Sequence, residues 1–129
     1  MKKIIMLTAL MALTLFAGGC GGQAAGAPRQ VSAAEAQKMM ASEKDYVIVD
    51  VRTKGEYATG HIPKEINIPN ESIDKTPPAE LKDKNQLIFV YCRSGKRSHD
   101  VAQKLAAMGY GNIVDFGGIM DWPGETVTD

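Results

Sequence analysis

Apolar residues fall in short runs separated by polar, Gly- and Pro-rich breaks. The densest run, Leu87-Ile88-Phe89-Val90-Tyr91-Cys92, does not alternate with polar residues. It predicts a strand buried on both faces, as in a parallel sheet. Tyr46 to Val51 is a second strand-like run, Ile66 to Ile68 a brief one stopped by Pro69, and Ile113 to Phe116 the last. Val31 ends a short edge strand. Between these runs the spacing turns helical. Ser32 opens a helix through Met40, with Glu35 completing a capping box. A short helix covers Lys54 to Ala58 and ends at Gly60. Pro77-Pro78 opens a helical turn around Glu80 and Leu81. Val101, Ala102, Leu105 and Met108 share one face of a helix that Ser98 is placed to cap. Gly117-Gly118 makes a tight turn, with Ile119, Met120 and Trp122 packing behind it. Strands alternating with helices imply an α/β fold with a parallel sheet.

The N-terminus follows a different pattern. Lys2 and Lys3 precede an apolar stretch from Ile4 to Phe16. That stretch is short of the roughly 20 residues of a membrane span and suits a signal-peptide core. Phe16-Ala17-Gly18-Gly19-Cys20 resembles the bacterial lipoprotein processing box, in which the cysteine becomes the lipidated first residue. Ala17 stands where that box usually holds Leu or a similar aliphatic, so cleavage near Gly19 or within Ala24 to Ala27 is the alternative. Residues 1–19 are thus expected to be a lipoprotein-type signal peptide, 20–28 a Gly/Ala-rich tether and 29–129 a single domain. An exported protein, lipid-anchored to a bacterial membrane and facing the periplasm or the outside, follows.

Composition narrows the chemistry. Fifteen basic residues balance fifteen acidic ones. Nothing in that balance points to nucleic acid, and the positive charge that matters is local, around Cys92. The chain has two cysteines. With Cys20 lipidated, Cys92 has no intrachain partner. A solitary thiol in an oxidising compartment points to a reactive role. The methionines sit in the leader or at core spacing, no metal-ligand spacing occurs, and no cofactor is expected.

Cys92 ends the densest strand and is followed by Arg93-Ser94-Gly95-Lys96-Arg97-Ser98 at the start of a helix. Ligands of open α/β sheets bind at the carboxyl ends of strands. Unpaired N–H groups at a helix N-terminus face an anion, and the dipole adds to their effect. Arg93, Lys96 and Arg97 add full charges, and Gly95 lets the backbone bend so that successive N–H groups converge. Such surroundings favour a thiolate.

Three segments together resemble the rhodanese family. They are Asp50-Val51-Arg52 with Glu56-Tyr57, Gly60-His61-Ile62-Pro63 and Ile66-Asn67-Ile68-Pro69; Tyr91 to Ser98; and Asp115 to Gly124. The resemblance implies a rhodanese-like, five-stranded, mostly parallel sheet flanked by helices. It also implies a sulfurtransferase of the thiosulfate type. Cys92 would carry sulfane sulfur as a persulfide between a small anionic donor and a thiol or cyanide acceptor. The N–H groups from Arg93 through Ser94, Gly95 and Lys96 to Arg97 would cradle the outer sulfur. Arg93, Lys96 and Arg97 would attract the donor and stabilise the leaving sulfite. Lys64-Glu65 departs from the Gly-Ala usual in the family, a change expected to alter a surface turn and not the chemistry.

The supporting residues read structurally. Asp50 ends a buried strand and needs partners. Arg52 is expected to pair with a carboxylate such as Glu56 and shape the pocket floor. His61 and His99 invite a Cys–His dyad, but a thiolate held by its loop needs no base. Arg97 closes the loop five positions after Cys92, one fewer than the related phosphatase cradle, which argues against phosphoryl chemistry. A non-catalytic sulfur-relay or redox-binding module acting with a partner protein is the alternative. A thiol reductase or sensor is weakened by the want of a resolving cysteine.

Overall fold

The computed structural model describes residues 27–128. The expected signal peptide, Cys20 and most of the expected tether lie outside the described residues. The elements run β1 (Arg29–Gln30), α1 (Ala33–Ser42), β2 (Tyr46–Asp50), α2 (Lys54–Thr59), β3 (Ile66–Asn67), β4 (Leu87–Cys92), α3 (Lys96–Ala107) and β5 (Ile113–Gly118). Two 3-10 turns, Asn70–Ser72 and Ile119–Asp121, complete the order. The five strands form one sheet in the order β1-β5-β4-β2-β3, every pair parallel.

β4 lies at the centre, and all six of its residues are buried. Its side chains alternate between the two sheet faces. Ile88, Val90 and Cys92 join one core with Val49, Val101, Leu105 and Ile113. Leu87, Phe89 and Tyr91 join the other with Ala36, Met40, Val114 and Phe116. The unbroken apolar run thus serves two cores, covered by α3 on one face and α1 on the other.

Local signals act as their chemistry requires. Ser32 caps α1 by accepting the Glu35 N–H at 3.0 Å. Thr53 and Glu56 form a full capping box at the start of α2, and Gly60 follows its last turn. Between Asn70 and Leu81 the expected turn around Glu80 is present, and a 3-10 turn is added. The 3-10 turn sits at Asn70–Ser72, and around Glu80 there is a single turn closed by Leu81 N–H to Pro78 O at 3.0 Å. The Leu81 carbonyl accepts the buried Tyr110 hydroxyl at 2.5 Å instead of continuing a helix. Met120 is exposed, while Ile119 and Trp122 pack on the core as expected.

Ser98 does not cap α3. The helix begins two residues earlier, with Gly95 at the cap position at φ 117° and no side-chain cap bond. The physical reason lies in Cys92, whose sulfur occupies the place a capping oxygen would take.

Candidate functional site

Cys92 Sγ accepts the Gly95 N–H at 3.0 Å and the Ser98 N–H at 3.4 Å. It is 1% exposed, so the sulfur sits at the bottom of the loop, under the first turn of α3. Sulfur is thus met by main-chain donors at the positive end of a helix dipole, an arrangement that stabilises an anion. The left-handed Gly95 makes this turn possible. A side chain there would be strained, and its Cβ would lie 3.5 Å from Gly117 Cα.

Ser98 instead fastens the helix to β5. Its hydroxyl reaches Asp115 Oδ1 at 2.7 Å and lies 3.1 Å from Gly95 O and 3.2 Å from Gly117 O. Asp115 is 2% exposed, and the same oxygen accepts the Gly117 N–H at 3.0 Å. Asp115 therefore holds both sides of the loop. Sequence reasoning placed it in a strand and gave it no role; an ionisable residue inside an apolar run was the available signal. Gly118 closes the packing, because a Cβ there would lie 2.0 Å from Arg93 O.

The cations are not equivalent. Arg93, Ser94 and Lys96 are exposed at the rim. Arg97 is half-buried and forks onto Glu56, with Nη1–Oε1 2.7 Å and Nη2–Oε2 3.0 Å. Glu56 also accepts the Thr53 N–H and hydroxyl. The Arg97 guanidinium, with help from Thr53, holds the Glu56 carboxyl down to about 2. Shallow clefts flank the loop. One touches Ser94, Gly95 and Gly117, and another touches Lys96, Arg97 and Asn70.

Arg52 does not pair with Glu56. It turns back on Asp50, with Nε 3.0 Å from Oδ1 and Nη2 2.7 Å from Oδ2, and donates to Gly60 O at 2.7 Å. Asp50 is fully buried and also accepts the Arg52 N–H and the Tyr91 hydroxyl. Burial alone would disfavour both charges; the fork and three further donors or acceptors complete the pair. Glu56 is fixed by its capping box and meets Arg97.

Glu65 corrects a second expectation. Lys64 is exposed at the turn, but Glu65 points inward to the Tyr91 hydroxyl, 2.5 Å from Oε1 and 2.8 Å from Oε2. His61 is buried, bonded through Nδ1 to Tyr57 O at 2.9 Å and stacked on the Tyr57 ring. His99 is exposed beside Gln30 and Asp115.

Residues 32–125 match the family model described as Rhodanese-like domain. The chain belongs to the rhodanese-like domain family. Among relatives of this rhodanese-like chain, a sulfurtransferase of Allochromatium vinosum is 32% identical over 94 residues, covering 72% of this chain and 86% of that protein. The thiosulfate sulfurtransferase PspE of Escherichia coli is 33% identical over 73 residues, covering 57% and 70%. A rhodanese-like domain protein of Staphylococcus aureus superposes with a TM-score of 0.67 at 30% identity, covering 78% of this chain and 98% of that one. A structure described as a rhodanese with anions, from E. coli, gives 0.60 at 30% identity over 65% and 99%. The expected five-stranded rhodanese-like sheet is thus present, and it is parallel throughout.

Proposed function

We propose that the protein is a sulfurtransferase that carries sulfane sulfur on Cys92. The observation that carries this reading is the thiol sulfur lying under two converging N–H groups, at the end of the central strand. In the first step the Cys92 thiolate attacks the outer sulfur of thiosulfate. A Cys–S–S bond forms, the donor S–S bond breaks, and sulfite leaves with the electron pair. In the second step cyanide or a thiolate attacks the terminal sulfur, and the Cys92 thiolate departs. No oxidant is needed, because the sulfane sulfur arrives already at its transferred oxidation level.

The depth of Cys92 supports a small donor. With Cys92 only 1% exposed, a small projecting atom is favoured over a bulky group, and the outer sulfur of thiosulfate is such an atom. Once bound, that sulfur stands about 2 Å nearer the mouth and meets the acceptor there. Arg93, Ser94, Gly95, Lys96 and Arg97 form the donor site in this reading, with Asp50, Arg52 and Ser98 as its support. The names of the A. vinosum and E. coli relatives, sulfurtransferase and thiosulfate sulfurtransferase, agree with it. Export and lipidation at Cys20 belong to the same proposal and rest on the Lys2 to Cys20 pattern.

Incubation with thiosulfate should raise the intact mass by one sulfur atom, located at Cys92 and removed by cyanide as thiocyanate. A folded protein that gains no sulfur would overturn the reading. Stoichiometric loading without transfer to any small acceptor would point to the relay module instead. Intact mass of protein isolated from membranes would report the mature start and any lipid.

A further inference from the structure

Tyr91 brings together two carboxyl groups, neither of which takes part in the proposed sulfur-transfer steps. Its hydroxyl oxygen lies 2.9 Å from Asp50 Oδ2 and 2.5 Å from Glu65 Oε1, and it accepts the Ile62 N–H at 3.3 Å. A phenol has one proton to give. If it goes to one carboxylate, the other must bring a proton of its own to the contact. Arg52 decides between them. Its guanidinium and its own N–H all donate to Asp50, which makes Asp50 the anion. The extra proton then belongs on Glu65, donated to the Tyr91 oxygen.

Of the charges facing this contact, Asp50 favours the neutral Glu65 and Arg52 opposes it. Asp50 and Arg52 come from the end of β2 and Tyr91 from β4, while on Glu65's own segment Lys64 is exposed and His61 is engaged with Tyr57. Burial, reinforced by the Asp50 charge, pushes the Glu65 carboxyl up to about 9 despite the Tyr91 hydroxyl. The turn that delivers Glu65 is itself under tension. Lys64 has φ 64°, and among the described residues no other non-glycine has a positive φ. A left-handed lysine persists only where its neighbours hold it.

We infer that Glu65 is a positioning residue carried as the neutral acid, and that its proton latches the Pro63–Glu65 turn onto Tyr91. The proton keeps the Tyr91 hydroxyl directed to Asp50 and lets the turn close over the phenol. Without it, two carboxylates face each other across one hydroxyl, and the strained turn opens. Arg52, fixed by Asp50, donates to Gly60 O at the end of the helix that carries Glu56, so the latch bears on one wall of the Cys92 site. The inference does not rest on the sulfur-transfer reading.

Two measurements on the full chain test it. Carbon-13 carboxyl NMR should find Glu65 titrating well above the ordinary range, with a midpoint above pH 7. Hydrogen–deuterium exchange of residues 62–67, corrected for intrinsic rates, should show protection falling by roughly tenfold or more between pH 6 and pH 8, because the open turn releases the proton. Glu65→Gln, which keeps a neutral donor that cannot ionise, should remove that fall. A Glu65 midpoint near 4.5, or an equal loss of protection in Glu65→Gln, would overturn the inference.

Discussion

Arg97 and Glu56 meet in a two-pronged ion pair, 2.7 and 3.0 Å, that ties the first turn of α3 to the first turn of α2. Glu56 Oε1 also accepts the Thr53 N–H and hydroxyl, so the capping box holds the carboxyl that Arg97 meets. The guanidinium beside the Cys92 loop is thereby aimed before any donor arrives.

The pair should make stability fall in acid. Glu56 ionises near 2 when folded, against an ordinary value of 4.5, so the folded protein binds its proton less readily. Its contribution is present in full above about 4.5 and is lost as pH falls towards about 2. The half-exposed setting limits it to about 1 kcal/mol or less. Urea midpoints of the native chain and Glu56→Gln should differ at pH 6 and converge near pH 2.

Ser98→Ala should destabilise by about 1–3 kcal/mol, because Asp115 would lose its hydroxyl donor while remaining buried. Chemical denaturation measures this. Sulfur loading should also slow, since the loop loses its tie to β5. A loss below about 0.5 kcal/mol would mean that Gly117 N–H and Gln30 satisfy Asp115 without the serine.

Gly118→Ala should be severe for its size. The new methyl would meet Arg93 O at 2.0 Å and Ser94 Cα at 2.8 Å, both backbone, so the Cys92 loop must shift. A loss of about 1–3 kcal/mol is expected from overpacking, together with a displaced loop and reduced thiosulfate reaction. Thermal melting with mass-detected loading would separate the two effects.

Arg52→Ala should cost about 3–5 kcal/mol, because it strands a buried Asp50 carboxylate. Adding Asp50→Asn should recover part of that loss, since the stranded charge is then gone. A double-mutant cycle read by denaturant midpoints checks the coupling; additive losses would show that the pair acts through packing alone.

Much of the architecture was legible in the chain. The run from Leu87 to Cys92 announced the central strand because a segment touched by core on both faces has no polar positions to spare. Gly60 marked the end of α2 because caps act within a few residues. The Cys92 loop was readable for the same reason: sulfur, glycine and helix start are neighbours in sequence, and their chemistry is local.

Ionic partners were another matter. A carboxylate twenty or forty positions away is indistinguishable from its rivals until the chain has packed. Arg52 had Asp50 two residues away and Glu56 four away, and burial against Tyr91 chose the first. Arg97 then took Glu56 across 41 positions, and Ser98 took Asp115 across 17. Glu65 looked like a surface residue because the turn around it is polar, yet the left-handed Lys64 swings it inward. Periodicity and capping follow from short-range geometry and travel with the sequence. The pairing of charges depends on which faces the sheet brings within hydrogen-bond reach, and that is set by packing.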